Sequence, residues 1–355
     1  KKNKFSELIL RNSGQDALKS HFRDAFMHNY VGEFLNIDVQ NAQPVLVFIN
    51  GEYYGLLNLR ERYNEVFFKE NYGEKNIYNV LKLWGVSILG SDKDYITIRE
   101  RIKKINKTKE QPKDLMKYFN MPNWIDYFII ETYSANLDWF PNNTIFWSLN
   151  HNNKWHYLLA DLDAGIGAKK DIMYSYDMFN FLFYDSPNKE FSVFMTDIET
   201  RNKFIIRYMD LLNTALKPDQ IRKNARIYQT NIENEIPRLL KKYTPRYRLY
   251  TDQQLLKKWN NDYLNKLYNF LQKRPSYIKT QLQKYFQLSE IRKINIFSQT
   301  EYNLNSLDLN TNFSGEYFTE LNYKISVNTQ NNTHFSHFEI NGKKIYKSTY
   351  LFTLN

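Results

Sequence analysis

Two acidic clusters in the middle of the chain have side chains suited to phosphate and metal chemistry. Asp138 is followed five residues later by Asn143, and a second cluster, Asp161 and Asp163, lies further on in the stretch DLDAG. Phosphoryl transfer needs a carboxylate near the attacking hydroxyl and oxygen ligands for a divalent cation at the phosphates. Protein kinases arrange these groups as D-x-x-x-x-N, two strands and then an Asp close to a Gly, and this chain has the same order.

The pattern also differs from that of ordinary kinases. No His-Arg dipeptide precedes Asp138, and DLDAG stands in place of DFG. The residues therefore predict a metal or phosphate site. The alternative is an Asn-rich turn that caps a hairpin, with carboxylates that are only solvated.

The segment between the two clusters is predicted to bring them together. Its aromatic-rich runs TIFWSL and KWHYLLA, joined by His151–Asn153, have the composition of two strands of a β-hairpin. Because a hairpin brings its ends together, Asp138 and Asn143 should meet Asp161 and Asp163 at one end. Three tryptophans of this stretch are predicted to lie in the core: Trp139, Trp147 and Trp155.

Elements on either side of this hairpin should position the site. A helix predicted over residues 123–135 delivers Asn136 and Asp138 to it. Its inward-facing apolar residues are Trp124, Tyr127, Phe128, Ile130 and Tyr133. Upstream, residues 5–10 predict a strand that leads into a polar turn, and residues 17–30 predict a helix.

Residues 44–60 give the clearest hairpin signal in the chain, since Asn50-Gly51 favours a tight two-residue turn. A dense charged group follows at its end: Arg60, Glu61 and Arg62. An Arg of this group could reach phosphate directly, or Glu61 could position a phosphate-binding cation. The alternative is a salt-bridge network at the strand end.

The second half of the chain changes character twice. Residues 197–288 are predicted to be helical, with a break at Pro275, because proline removes a backbone donor within a helix. Short alternating strands follow. The sequence thus predicts an N-terminal lobe over residues 1–92, a largely helical C-terminal lobe with the catalytic hairpin over residues 93–288, and a small all-β module over residues 289–355.

Composition limits the possible functions. The chain has 355 residues, a net charge of +11 and no Cys, which excludes disulfides, Cys-ligated zinc and thiol catalysis. Basic charge favours polyanions such as nucleotide phosphates, or it reflects Lys-rich solvated helix faces. The helices mix Lys and Arg with Tyr in a way that indicates amphipathic packing, so nucleic acid is not the expected partner. No apolar run approaches the ~20 residues of a membrane-spanning helix.

Several separated stretches together resemble the CotH kinase family, atypical protein kinases first associated with bacterial spore coats. In chain order they are LILRNSGQD with Arg23-Asp24, VFINGEYYGLLNLRERY, NLDWFPNNTIFW and KWHYLLADLDAGIG. The resemblance covers roughly residues 5–288. It implies an α+β, divergent protein-kinase-like fold that transfers the γ-phosphate of ATP, with Mg²⁺ or Mn²⁺, to Ser or other hydroxyls of a protein substrate and of the chain itself.

The resemblance also implies roles for single residues. Asp138 corresponds to the catalytic Asp and Asp161 to the metal-binding Asp, with Asn143 and Asp163 as further metal ligands or supporting residues. Four residues are candidates for the nucleotide site: Arg11, Arg60, Glu61 and Arg62. Family members usually have further N-terminal strands with a Lys-rich segment. Only Lys1–Lys4 precede the first motif here, so if the lysine that cradles ATP lies in those strands, this chain lacks it.

The sequence also predicts a location for the protein and leaves two competing functions open. The β module resembles those that follow such domains in secreted bacterial proteins, which favours an extracytoplasmic or cell-surface location, with the spore coat as the alternative. The chain begins without Met, so an export signal could have been removed. One rival function is a non-catalytic surface scaffold with a degenerate kinase-like core. Another is a metal-dependent phosphohydrolase that uses the same acidic cluster.

Overall fold

The computed structural model describes residues 5–73, 75–83, 85–150, 154–169, 171–298, 300–327, 336–340 and 343–354. Residues 1–4 and the predicted hairpin turn at residues 151–153 lie outside this described part. The chain is a mixed α and β protein with 46% helix and 21% strand. Its strands pair in antiparallel fashion within several small sheets.

The elements follow one another along the chain as helices and short strands. The strands are β1 Ile9–Arg11, β2 Ala42–Ile49, β3 Glu52–Arg60, β4 Tyr78–Lys82, β5 Val86–Leu89, β6 Ile145–Leu149, β7 His156–Leu158, β8 Ile291–Ile296, β9 Tyr302–Leu304, β10 Leu307–Leu309, β11 Phe313–Phe318, β12 Tyr323–Ser326, β13 Phe338–Ile340, β14 Lys343–Ile345 and β15 Thr349–Phe352. The helices are α1 Arg23–Val31, α2 Glu65–Tyr72, α3 Lys93–Lys104, α4 Pro112–Met116, α5 Met121–Ser134, α6 Met178–Asn180, α7 Glu190–Phe194, α8 Ile198–Asn213, α9 Pro218–Ile232, α10 Ile236–Tyr243, α11 Asp252–Trp259 and α12 Asn265–Phe286.

The chain divides into two compact units. The first consists of Lys1–Asp197 with Pro218–Tyr277, and the second of Ile198–Lys217 with Ile278–Asn355. The second unit therefore contains α8 and the end of α12 in addition to the strands after residue 288. The lobes and the β module outlined from the sequence remain a prediction about how the chain is organised.

The first sheet of the larger unit has the order β1-β3-β2. The predicted hairpin is confirmed, and Asn50 and Gly51 at its turn have φ of 52° and 82°. The helix predicted over residues 17–30 begins later, at Arg23. The carboxylate of Asp16 accepts hydrogen bonds from the backbone N–H groups of Ser20 and Arg23, and these local bonds compete with a helix through residues 17–22.

The second sheet has the order β5-β4-β6-β7 and contains the hairpin between the two acidic clusters. β6 and β7 pair in antiparallel fashion, with Ile145 opposite Leu158, as predicted. Trp147 is buried in a cluster with Phe68 and Val80. The other two tryptophans predicted for the core, Trp139 and Trp155, are buried as well.

Helix α5 is almost wholly buried, and most of its residues are apolar. The five residues predicted to face inward are all buried. The only charged residues of this helix, Asp126 and Glu131, are buried too. Asp126 accepts a hydrogen bond from the backbone N–H of Asn36 at 2.7 Å, whereas Glu131 lies toward the acidic loops described below.

A buried carboxyl on α7 makes the stability of this unit depend on pH. Glu190 is 1% exposed and accepts hydrogen bonds from the indole of Trp124 at 2.5 Å and the hydroxyl of Tyr157 at 2.9 Å. Burial raises the pKa of Glu190 to about 7. A raised folded-state pKa gives stability that is present below the unfolded pKa and lost as the pH rises through the folded pKa.

We therefore expect the wild-type protein to lose up to about 3 kcal/mol of unfolding free energy between pH 5 and pH 8 through this group. Glu190→Gln should lose much less over the same range, because its amide does not ionise. Urea unfolding followed by Trp fluorescence at both pH values measures the difference. Glu65→Gln, on the exposed face of α2, is the control and should keep the wild-type pH dependence. Equal slopes for Glu190→Gln and the wild type would contradict this assignment.

The last helix corrects one prediction from the sequence. Pro275 does not break it, and α12 runs without interruption from Asn265 to Phe286. Leu271 before the proline and Ile278 after it are both buried. Tertiary packing on both sides thus outweighs the loss of one backbone hydrogen bond, which costs about 3 kcal/mol in an isolated helix.

In the second unit the C-terminal strands pack against α8. The buried carboxylate of Asp210 accepts hydrogen bonds from the hydroxyls of Tyr317 and Ser306, at 2.8 and 2.9 Å, and from the amide of Asn305 at 3.0 Å. One acidic side chain on α8 is therefore bound by three groups of the β region. Among the described residues, no helix has both the length and the apolar character needed to cross a membrane.

Candidate active site

The second acidic cluster lies against the loop that follows β1. The guanidinium of Arg11 lies 2.5 Å from Oδ1 of Asp161, and the backbone N–H of Gln15 donates to Oδ2 of Asp163 at 2.5 Å. These contacts join residues that are about 150 positions apart in the chain. The polar turn after the first strand is therefore part of the same site as the DLDAG stretch.

Gly14 allows this close approach. Its φ is +55°, and a Cβ added to it would lie 2.2 Å from Oδ2 of Asp163. Real Cβ atoms do not come so close, so any side chain here must displace the carboxylate. The side chain of Asn58 donates to the hydroxyl of Ser13 at 2.7 Å and helps to hold the loop in place.

We expect Gly14→Ala to lower the free energy of unfolding by about 2 kcal/mol or more, since it combines an unfavourable φ with a steric clash against Asp163. Gly51→Ala is the matched control. Gly51 has φ of +82°, but nothing lies within 4 Å of its added Cβ. Urea unfolding followed by Trp fluorescence measures both variants. Equal effects would show that the contact with Asp163 contributes nothing.

A buried ion-pair network supports the backbone between the two aspartates. Asp24 on α1 accepts from the backbone N–H of Leu162 at 2.8 Å and pairs with Arg60 at the end of β3. Burial alone would raise the pKa of Asp24, but His28 and Arg60 beside it hold that pKa well below its usual range. Asp24 is thus an anion that fixes the position of Leu162.

A second buried pair contacts the backbone just after the DLDAG stretch. Asp16 pairs with Arg23, and both side chains are almost fully buried. Arg23 Nε also donates to the backbone carbonyl of Ile166 at 3.3 Å. Ile166 has φ of 51°, an unusual conformation for a β-branched residue. The pair therefore helps to fix the backbone just beyond the acidic cluster.

Asp138 belongs to a compact loop between α5 and β6. Its carboxylate accepts from the amide of Asn142 at 3.2 Å and from that of Asn143 at 3.4 Å. The loop contains two consecutive cis peptide bonds, Trp139–Phe140 and Phe140–Pro141. Asp138 and Asn143, predicted to act together, are therefore in hydrogen-bond contact.

Asn136 links this loop to the second acidic cluster. Its Oδ1 accepts from the backbone N–H of Asp138 at 3.2 Å, and its Nδ2 donates to the backbone carbonyl of Asp161 at 3.2 Å. Nδ2 also donates to Oε2 of Glu131 at 3.2 Å. Burial raises the pKa of Glu131 well above its usual range, although the hydrogen bond from Asn136 acts to lower it.

Arg274 holds the end of α5 from which the loop departs. It is fully buried and donates to the carbonyls of Thr132 and Tyr133, at 2.6 and 2.9 Å, in the last turn of that helix. It also donates to the carbonyls of Tyr174 and Tyr176, at 2.9 and 2.7 Å. A cation is favoured at this position, since a helix C-terminus carries partial negative charge.

Asp163 is a buried carboxyl beside a second acidic side chain. Burial, with the neighbouring Asp161, raises its pKa to about 6. Its Oδ1 is buried and has no hydrogen-bond partner in the described part of the chain. The described residues contain no group of three or more His, Cys, Asp or Glu side chains arranged to hold a metal. Two carboxylates and the Asn143 amide are nevertheless an oxygen set of the kind that Mg²⁺ and Mn²⁺ accept.

The three charged residues at the end of β3, which were predicted to bind nucleotide, each have a different partner. Arg60 is 1% exposed and bound to Asp24. Glu61 accepts from the backbone N–H and the side chain of Asn41, at 3.2 and 3.0 Å. Arg62 is largely exposed and pairs with Glu7 at 3.1 Å. Of the four candidates, only Arg11 touches the second acidic cluster, and a nucleotide role for any of them stays a prediction.

A scan against protein families matches residues 2–278 to the family described as CotH kinase protein. The chain belongs to the CotH kinase family. The match spans both acidic clusters, the first hairpin and nearly all of the larger structural unit. A comparison with curated proteins finds no match.

Within this CotH chain, two supporting residues were not predicted from the sequence: Glu131 and Arg274. Both could have been singled out in the sequence, because each is a charged residue at a position where the helical pattern requires an apolar one. Arg274 continues the stripe formed by Leu267, Phe270 and Leu271 on α12. A charge on a buried stripe indicates a bound partner, but it does not say which groups provide it.

Proposed function

We propose that this chain is a protein kinase of the CotH type, which transfers the γ-phosphate of ATP to hydroxyls of a protein substrate, Ser among them, and of the chain itself. Family membership supports the general class. The link that Asn136 makes between Asp138 and Asp161 supports it most directly. This link keeps a carboxylate suited to proton transfer close to a cluster suited to binding the divalent cation of a metal–nucleotide complex.

In this mechanism Asp138 acts on the acceptor hydroxyl. Its carboxylate takes the proton as the hydroxyl oxygen forms a bond to the γ-phosphorus, and the bond to the β–γ bridging oxygen breaks to release ADP. The amides of Asn142 and Asn143 hold that carboxylate in place. Most of the rate enhancement comes from positioning and electrostatics, as is usual for phosphoryl transfer.

Asp161, Asp163 and Asn143 would hold Mg²⁺ or Mn²⁺. When bound, the cation neutralises charge on the phosphates and orients them. The unpartnered oxygen of Asp163 supports this assignment. Arg11 pairs with Asp161 in the present structure, and in this proposal it turns toward a phosphate once the cation binds that carboxylate.

The remaining parts of the proposal follow from the family. They are a divergent kinase-like fold, with the β1–β3 sheet in an N-terminal lobe, and a location outside the cytoplasm at a bacterial surface or in a spore coat. The mixed α and β architecture agrees with such a fold.

A non-catalytic scaffold is the second candidate, and one observation favours it. The Arg11–Asp161 ion pair already neutralises the aspartate that would bind the metal. A chain that keeps this pair permanently would retain the fold without activity.

Incubation with ATP labelled in the γ-phosphate, with Mg²⁺ or Mn²⁺, separates the candidates. A kinase should label protein, and ATP labelled only in the α-phosphate should leave it unlabelled. EDTA should abolish the signal. Release of labelled phosphate without labelled protein would instead indicate a phosphohydrolase. No turnover under any condition would refute the kinase assignment and favour the scaffold.

A further inference from the structure

The amide of Asn136 makes three hydrogen bonds, and all three select the same orientation of this group. Oδ1 accepts from the backbone N–H of Asp138, while Nδ2 donates to the backbone carbonyl of Asp161 and to Oε2 of Glu131, each at 3.2 Å. A reversed amide would place Oδ1 against two acceptors and Nδ2 against a donor. Among these partners Glu131 alone contributes a side chain, so it is the partner that a substitution can remove.

Helix α5 supports the loop of Asp138 from one face. Tyr127 and Glu131 are four residues apart on this helix, so they lie on the same side of it. Each accepts one hydrogen bond from the loop. The indole N–H of Trp139 donates to the hydroxyl of Tyr127 at 2.7 Å, and Asn136 donates to Glu131. The backbone of Asp138 is therefore connected to α5 through a residue on each side of it.

The carbonyl that Asn136 binds belongs to a residue with an uncommon backbone conformation. Asp161 has φ of 48°, in the left-handed region that residues other than Gly rarely adopt. At the other end of the acidic stretch the backbone N–H of Ile166 donates to the carbonyl of Ser134 at 2.7 Å. Gly165 permits this approach, since a Cβ added to it would lie 2.8 Å from the same carbonyl. The end of α5 thus holds the acidic stretch at both of its ends.

The contribution of Glu131 to packing does not explain why a carboxyl stands at this position. Its side chain is 0% exposed. Oε2 accepts from Asn136, but the buried Oε1 has no hydrogen-bond partner in the described part of the chain. A buried polar oxygen without a partner is unfavourable, and an apolar side chain of similar size often packs as well or better. A carboxyl kept despite this penalty is typical of a functional site.

We infer that Glu131 is a positioning residue for the phosphotransfer proposed for this chain: by fixing the amide of Asn136, it sets the position of Asp138 relative to Asp161. The inference rests on that proposed function. A carboxyl oxygen accepts this hydrogen bond whether or not the group is protonated, so the role requires an acceptor and not a charge. Displacing a catalytic group by about 1 Å can lower a rate about 10²-fold, which makes this support important for the rate.

Glu131→Leu should lower kcat for phosphotransfer to protein about tenfold and change KM for ATP less than about twofold. The second acidic cluster keeps its contacts with the loop after β1, so nucleotide binding persists, whereas Asp138 loses one of its two connections to α5. Glu131→Gln should keep at least about half of the wild-type kcat, because its side-chain carbonyl can accept from Asn136. Initial rates with labelled γ-phosphate over a range of ATP concentrations measure both parameters.

Glu190→Leu is the matched control, since Glu190 is another buried carboxyl of the larger unit. It should show the opposite pattern. The urea midpoint should fall, because Trp124 and Tyr157 lose their acceptor, while kcat stays within about twofold of the wild type when measured where Trp fluorescence shows a folded protein. The inference is overturned if Glu131→Leu loses no more kcat than Glu190→Leu, or if Glu131→Gln loses as much as Glu131→Leu.

Amide hydrogen exchange tests the same contacts without catalysis, so it separates this inference from the proposed function. The backbone N–H of Asp138 is bound by Asn136 and should exchange about tenfold faster in Glu131→Leu than in the wild type, and at nearly the wild-type rate in Glu131→Gln. A wild-type chain that transfers no phosphate would refute the kinase assignment, yet faster exchange in Glu131→Leu would still support the positioning of Asp138. Unchanged exchange in Glu131→Leu would overturn the inference whatever the activity.

Discussion

Asp138→Asn should lower phosphotransfer by several powers of ten, equivalent to about 4 kcal/mol or more of transition-state stabilisation. The amide keeps the size of the side chain and can accept one of the two hydrogen bonds from Asn142 and Asn143, but it cannot take the proton of the acceptor hydroxyl. Transfer of labelled γ-phosphate to protein, measured as an initial rate, gives the size of the effect.

Asp171→Asn is the control for this variant. Asp171 is largely exposed and pairs with Lys266, so its replacement changes charge by the same amount away from the loop between α5 and β6. It should keep nearly wild-type activity. Both variants should unfold at the wild-type urea concentration, which separates chemistry from stability. An active Asp138→Asn enzyme would remove Asp138 from the mechanism.

Arg274→Ala should lower the free energy of unfolding by about 3–5 kcal/mol, the usual range for removing one partner from a buried charged network. The variant loses four hydrogen bonds to backbone carbonyls in two separate segments. It also leaves a cavity between them. Because all six tryptophans lie within the residue ranges of the larger unit, Trp fluorescence during urea unfolding reports on this unit.

Two further variants separate the effect of the four carbonyl contacts from that of the positive charge. Lys273→Ala removes the adjacent residue, whose ammonium lies over the ring of Tyr174, and should cost less than about 1 kcal/mol. Arg274→Lys keeps the charge but not the planar fork of donors, and should recover only part of the loss. A loss for Arg274→Ala no larger than that for Lys273→Ala would show that the four carbonyl contacts contribute little to stability.

The hairpins and α5 could be predicted because their signals are local. Asn50-Gly51 favours a turn that matches the twist of the flanking strands, and the aromatic runs on either side of residues 151–153 have strand composition. The burial of α5 followed from an apolar pattern within fourteen residues. Such signals depend on residues that are close in the sequence, so a single sequence is enough to recognise them.

Predictions failed at two places, one decided by tertiary packing and the other by a local side-chain contact. Pro275 should end a helix, yet packing on both sides keeps α12 continuous. Residues 17–22 have a helical pattern, yet the carboxylate of Asp16, itself held by Arg23, binds the backbone there. Tertiary packing at Pro275 and the local contacts of Asp16 at residues 17–22 each outweigh the intrinsic preference of the residues, which amounts to at most a few kcal/mol.

By itself the sequence determined the chemical groups of the candidate site and their order: a carboxylate and an amide before one hairpin, two carboxylates after it, and a family whose members share this order. Only the tertiary structure decided which opposite charges meet. Arg11 lies on Asp161 and Arg60 on Asp24, while Asn136 spans the two clusters. Charge attraction does not select among many possible pairs along a chain. Packing does, because it determines which residues far apart in sequence are brought within a few ångströms of each other.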